Sequence, residues 1–252
     1  MLTVRDIALA YGADPVLEHV DIEVAPGEFA SLIGPSGSGK TSILRAVTGL
    51  QQVLAGTISL SVGASEVGFL FQDDALLPWR TARQNVSLGL RIRGTDPKDA
   101  DRAADEWLEL LGIGGLGSRF PRQLSGGQRK RVAIAQVLAL KPRLLLMDEP
   151  FASLDAIMRT RVTQDLLGWV ERENLSVLLV THDLEEAIAV SDTVHVLSQG
   201  PRARIKSRHK IPIPRPRDVL ATRQHPSFAP LLKTLWDELA DETPTVLRQA
   251  AE

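Results

Sequence analysis

A chain of 252 residues that is 44% apolar and 24% charged has the composition of an ordinary soluble globular protein, which excludes disorder and fibrous repeats. Its length suits one large domain, or one domain carrying an inserted subdomain, and a formal charge of -2 provides no overall positive field to hold nucleic acid. The lack of cysteine excludes disulfides, thiolate metal sites and cysteine nucleophiles.

The N-terminus, Met1-Leu-Thr-Val-Arg-Asp, has neither the apolar run nor the cleavage site of a signal peptide, so a cytoplasmic place is expected. Apolar runs such as Leu144–Met147 and Leu175–Val180 fall far short of the roughly 20 residues of a membrane helix. Any membrane role is expected to come through a partner.

Residues 2–33 alternate like strands, broken by turn signals at Gly12-Ala-Asp-Pro and Pro26-Gly27, and predict a small antiparallel sheet feeding a buried strand at Phe29–Ile33. A glycine-rich turn and a helix from Lys40 to Leu50 follow, then strand-like runs at Thr57–Val62 and Val67–Phe71. Between about 83 and 140 the spacing is helical, with Asp96-Pro97 as a cap and first-turn proline. Alternating strands and helices then resume: a strand at Leu144–Met147, a helix through Trp169, a strand at Ser176–Thr181 and a helix from Leu184. Residues 202–217 are rich in Arg, Lys and Pro and lead to a short helical tail near Phe228–Leu239. The basic run is expected to be a solvated face, with contact to anionic lipid headgroups as the alternative.

Gly34, Pro35, Ser36, Gly37, Ser38, Gly39, Lys40 and Thr41 match the phosphate loop G-x-x-x-x-G-K-[ST], whose glycines let backbone N–H groups turn inward around phosphates. Lys40 would reach the β and γ oxygens and Thr41 would bind Mg²⁺, with Ser42 next in the nucleotide-binding run. A glycine-rich turn that merely caps a helix is the alternative. Leu144-Leu-Leu-Met-Asp148-Glu149 is an apolar strand ending in two acids, which puts carboxylates at the carboxyl edge of a buried sheet. Asp148 is then placed for Mg²⁺ and Glu149 for the attacking water, although such a pair taken alone is usually a helix cap. Leu124-Ser125-Gly126-Gly127-Gln128 opens another helix and offers a second phosphate cradle. One nucleotide needs one cradle, so the second is expected to face nucleotide held by another copy of the chain.

This set resembles the nucleotide-binding subunit of ABC transporters, whose signature is LSGGQ, over roughly residues 2–200. The resemblance implies a P-loop NTPase (RecA-like) α/β core with an N-terminal antiparallel β-subdomain and an inserted helical subdomain. Residues 1–82 and 141–206 would form the core, 83–140 the helical signature subdomain and 207–252 a C-terminal tail. It also implies that Tyr11 stacks on adenine, that Gln72 touches Mg²⁺ and water, that Ser153-Leu-Asp155 crosses the dimer interface, and that His182 meets the γ-phosphate. Lys40, Gln72, Glu149 and His182 would be the catalytic set, and ATP and Mg²⁺ the cofactors. His19, His195, His209 and His225 lack such support and are expected to be surface or structural residues.

Leu76, Leu77, Pro78 and Trp79 form an apolar loop that is costly to expose without a partner. The resemblance makes Gln72–Trp79 the docking place of a transmembrane permease; packing inside the helical insertion is the alternative. The wording of this loop, with Pro212-Ile-Pro-Arg-Pro-Arg-Asp218, resembles importers of the nitrate, sulfonate and taurine type and relatives for thiamine precursors. An extracytoplasmic solute-binding protein and a place on the cytoplasmic face of a bacterial inner membrane are then implied. Phe151-Ala152-Ser153 and Gln136 depart from the subgroup's Phe-Gly-Ala and arginine without removing a group that touches ATP. An exporter ATPase would share these motifs, a soluble ABC-type ATPase usually carries two cassettes or a long coiled coil, and a small-molecule kinase leaves Leu124–Gln128 and His182 without a role.

Overall fold

The structure, a computed structural model, describes residues 1–152 and 154–240; Ser153 and residues 241–252 lie outside the described residues. β1 (Leu2–Tyr11) and β2 (Asp14–Val24) form an antiparallel hairpin because Leu2, Val4, Ile7 and Leu9 on one strand and Leu17, Val20, Ile22 and Val24 on the other share one buried face. Gly12 closes the turn at a φ of 62°, a conformation that favours glycine. β3 (Phe29–Ile33) runs through the glycine loop into α1 (Lys40–Val47), and β4 (Ala55–Leu60) returns to pair with the other edge of β1.

After β5 (Val67–Leu70), three helices occupy the region where helical spacing begins: α2 (Ala82–Ile92), α3 (Pro97–Leu110) and α4 (Gly126–Leu138). Asp96 caps α3 by accepting the Lys98 amide at 2.9 Å, with Pro97 as its first residue. β6 (Leu144–Asp148), α5 (Ala156–Arg172), β7 (Ser176–Val180), α6 (Leu184–Val190), β8 (Thr193–Leu197), β9 (Ile205–Lys210), α7 (Val219–Thr222) and α8 (Phe228–Ala240) complete the chain.

The larger sheet has the order β5-β6-β7-β3-β8-β9, parallel except for its last pair. Its central strands are buried on both faces, which is why they read as continuous apolar runs. Leu144, Leu146, Leu178 and Val180 face the cluster beneath the antiparallel sheet and α1, while Leu145, Met147, Val177 and Leu179 face the helices. The carboxyl ends of β3, β6 and β7 therefore lie side by side, with β5 next to β6.

The basic segment is not a solvated face alone. Residues 205–210 form β9, so a boundary between 206 and 207 falls inside a strand of the main sheet. Lys206, Arg208 and Lys210 point outward and leave a charged edge that resists pairing with another chain. Arg217, by contrast, is buried: its guanidinium lies 2.9 Å from Asp192 and donates to the carbonyls of Val190 and Ile213. Burial pushes the Asp192 carboxyl up, but bonds from Arg215 and the Phe29 amide, with the Arg217 charge, hold it below the usual range. Glu238 fastens α8 to β9 through Lys206, Ser207 and His209. His195 on β8 is structural: it is buried, and desolvation pushes its pKa down to about 4.

Candidate functional site

The turn between β3 and α1 is shaped by close approach. A Cβ on Gly34 would sit 2.8 Å from the Leu197 carbonyl oxygen, and one on Gly39, at a φ of 96°, 2.8 Å from a Val16 methyl. Only glycine fits at these two positions, which lets the chain turn tightly from β3 into α1. Lys40 is buried there, its Nζ donating to the carbonyls of Gly34 at 2.9 Å and Pro35 at 2.8 Å. Burial lowers its pKa, opposed by the charges of Glu149 and Asp148.

Thr41 donates to Asp148 Oδ1 at 3.0 Å, so two hard oxygen groups more than a hundred residues apart share one point. Burial raises the Asp148 carboxyl, the Thr41 bond opposes it, and the Glu149 charge raises it further. Glu149 follows at a φ of 43°, a left-handed conformation costly for a residue with a side chain; its amide donates to the Val180 carbonyl at 2.8 Å. This turn sends Asp148 and Glu149 in different directions. One Glu149 oxygen, Oε2, is met from both sides: His182 Nδ1 is 3.1 Å away and Gln72 Nε2 donates at 3.5 Å.

Ser125 caps α4, accepting the Gln128 amide at 3.3 Å while Gln128 Oε1 accepts the Ser125 amide at 2.9 Å. Gly126 and Gly127 form the first turn of α4. This helix packs on α2, α3 and β5. Tyr11 lies half-exposed, its hydroxyl bonded to Ser42 and Gln51 at 2.9 Å each. Asp155 caps α5 through the Met158 amide. In the loop after Gln72, Leu76 packs against the core while Trp79 is 70% exposed. Buried Asn85 staples the loop by accepting the Leu77 amide and donating to the carbonyls of Leu77, Arg80 and Thr81.

One neighbour of the site carried no sequence signal. Lys130 on α4 is fully buried, 3.0 Å from Asp74, and donates to the Gln72 carbonyl at 3.0 Å, so the helix opened by Ser125 holds the loop that carries Gln72. Nothing in the run Arg129-Lys-Arg131 marks that Lys130 and Arg131 are both buried, or that Lys130 is the one that reaches the Gln72 carbonyl. Glu186 could have been found, because Asp183 three residues before it is a capping pattern.

The profile of the ABC transporter family matches residues 17–152. The chain belongs to the ABC transporter family. The aliphatic sulfonates import ATP-binding protein SsuB 1 of Paracoccus denitrificans is 40% identical over 242 residues, covering 96% of this chain and 95% of that protein. SsuB 2 of Rhizobium johnstonii is 42% identical, covering 96% and 92%. Among solved structures, the dimeric bacterial ABC transporter cassette MJ0796 superposes with a TM-score of 0.75 at 28% identity, covering 84% of this chain and 99% of that one. This ABC protein is therefore an ATP-binding ATPase built on the P-loop α/β fold. No helix among the described residues is long and apolar enough to cross a membrane.

Behind His182 the cassette buries a carboxyl that responds to pH. Glu186 accepts a hydrogen bond from Thr181, and desolvation pushes its pKa up to about 7, helped by the Asp183 charge and opposed by Thr181, Arg159 and His182. A pKa raised above its unfolded value stabilises the fold fully at low pH, and that contribution is lost as pH rises through about 7. Glu186→Gln cannot ionise, so its stability relative to wild type is expected to rise by about 3 kcal/mol between pH 5 and pH 8 in urea melts. An unchanged difference at the two pH values would contradict a buried, titrating carboxyl.

Proposed function

We propose that this cassette works as a pair of copies that hydrolyse ATP to drive import of small sulfur oxyanions of the aliphatic sulfonate type through a membrane permease. The observation that carries hydrolysis is the meeting of Gln72 and His182 on one oxygen of Glu149, beside Lys40, Thr41 and Asp148. That arrangement suits a carboxylate that takes a proton from water as the water oxygen bonds to the γ-phosphorus and the bond to the β-phosphate oxygen breaks, releasing ADP. Lys40 would leave its two carbonyl partners for the phosphates, and His182 would face the γ-phosphate. The loop amides from Ser36 to Thr41 would hold the phosphate oxygens, and Tyr11 would flank the adenine.

Mg²⁺ fits the residues present. A threonine hydroxyl and a carboxylate 3.0 Å apart are hard oxygen donors, with Gln72 3.5 Å from the adjacent Glu149, and no group of three His, Cys, Asp or Glu among the described residues could hold a metal. When bound, the ion would neutralise charge on the β- and γ-phosphates. Thr41, Asp148 and Gln72 would hold it.

Ser125, Gly126, Gly127 and Gln128 would close over nucleotide on the partner copy, and Asp155 would lie at the same interface. Exposed Trp79 on its stapled loop suits a permease contact at Gln72–Trp79, which would put the chain on the cytoplasmic face of the membrane. The aliphatic sulfonate names of the relatives support the solute class, and an extracytoplasmic binding protein would deliver it. The full complex in vesicles, with binding protein loaded by an alkanesulfonate, is expected to release phosphate several-fold faster than with unloaded binding protein. Equal rates would overturn the solute class; no release with Mg²⁺-ATP at all would overturn the assignment of the site.

A further inference from the structure

Arg159 joins two loops that the chain separates. It lies one turn into α5, where its Nη2 donates back to the Leu154 carbonyl at 3.1 Å and its Nη1 sits 3.3 Å from Asp183 Oδ2. Asp183 follows His182 directly and caps α6 through the Glu186 amide at 3.0 Å. A planar guanidinium can hold both partners at once because its N–H groups diverge at fixed angles; lysine offers a single point.

Each end of this clasp touches a part of the nucleotide machinery. Beyond Leu154, the N-terminal turn of α4 rests on the same segment: a Cβ on Gly127 would lie 3.1 Å from Met158 Cε and 3.9 Å from Leu154 Cδ2. Beyond Asp183, His182 stands 3.1 Å from Glu149. Neighbouring groups thus lead from Gly127 past Leu154 and Met158 to Arg159, Asp183, His182 and Glu149. Arg159, Asp183, His182 and Glu149 also line one small chamber of about 40 Å³, together with Phe151, Ala152, Thr181 and Glu186.

Resting on the two-copy site proposed above, we infer that Arg159 is a positioning residue that couples the two nucleotide sites of the dimer. Nucleotide on the partner copy presses on Ser125–Gly127, the Leu154–Met158 turn beneath moves with it, and Arg159 carries that displacement to His182 and so to Glu149. Hydrolysis in one site then depends on occupancy of the other. The Arg159 and Asp183 side chains are 37% and 30% exposed, so the pair adds little to stability and its removal acts on coupling.

The test is steady-state ATP hydrolysis by the full-length chain with Arg159→Gln, Asp183→Asn, Arg159→Lys and the double variant Arg159→Gln/Asp183→Asn. Asparagine keeps the cap of α6, so the second variant separates coupling from folding. Wild type is expected to saturate with a Hill coefficient of about 2. Both neutralising variants are expected to fall to about 1 and to lose about tenfold in kcat, with ATP affinity of the isolated chain and Tm unchanged. Arg159→Lys should recover part of both, and the double variant should be no worse than either single one. Variants that keep wild-type cooperativity and kcat, or losses that multiply in the double variant, overturn the inference alone. A wild-type chain that releases no phosphate overturns it together with the site assignment.

Discussion

Glu149→Gln is expected to lower ATP turnover about a thousandfold while leaving nucleotide affinity intact. The amide has the shape of the carboxylate, keeps an oxygen to accept from Gln72 and His182, and leaves Lys40, Thr41 and Asp148 untouched. What it removes is the lone pair basic enough to take a proton from water. ATP that closes a pair of copies and is not consumed holds them closed, so the variant should elute as a dimer with ATP and as a monomer with ADP in gel filtration. Retained turnover, or monomers at saturating ATP, would remove Glu149 from its assigned role.

The second large effect is expected at Ser125, on α4 of the helical region. Ser125→Arg should cut turnover at least a hundredfold, because a long cation then fills the helix N-terminus proposed above to close over the partner's nucleotide. Loss of the cap to Gln128 costs only about 1 kcal/mol, so the fold survives. The decisive variant combines the two changes. If the site is shared between copies, Ser125→Arg/Glu149→Gln should bind ATP as each chain alone does and yet no longer dimerise with it. ATP-dependent dimers of the double variant would show that Ser125 does not face the partner's nucleotide.

Much of the site was legible because local geometry is written in neighbouring residues. Glycines at Gly34 and Gly39 announce backbone that passes close to other chain, and an apolar strand ending in Asp148-Glu149 announces carboxylates at a sheet edge. Asp96-Pro97 announces a helix start. The basic segment was legible in part, since its cations other than Arg217 do face solvent. Its Arg, Lys and Pro content reads as solvated surface, yet residues 205–210 alternate with period two, and what makes them a strand is the edge of β8 beside them. No local signal reports that edge.

The sequence by itself determined which chemical groups the protein carries and in what order: a phosphate loop, a second glycine-rich helix start capped by Ser125, paired acids and a histidine after a buried strand. These are properties of short segments, set by backbone freedom, caps and apolar runs. Only the tertiary structure decided that Gln72 and His182 close on the same oxygen of Glu149, that Lys130 reaches the Gln72 carbonyl while Arg129 and Lys130 share Asp74, and that Arg159 ties Leu154 to Asp183. Strand order decides those meetings, by setting β5, β6, β7 and β3 side by side, and strand order depends on burial of both sheet faces at once rather than on any one stretch of chain.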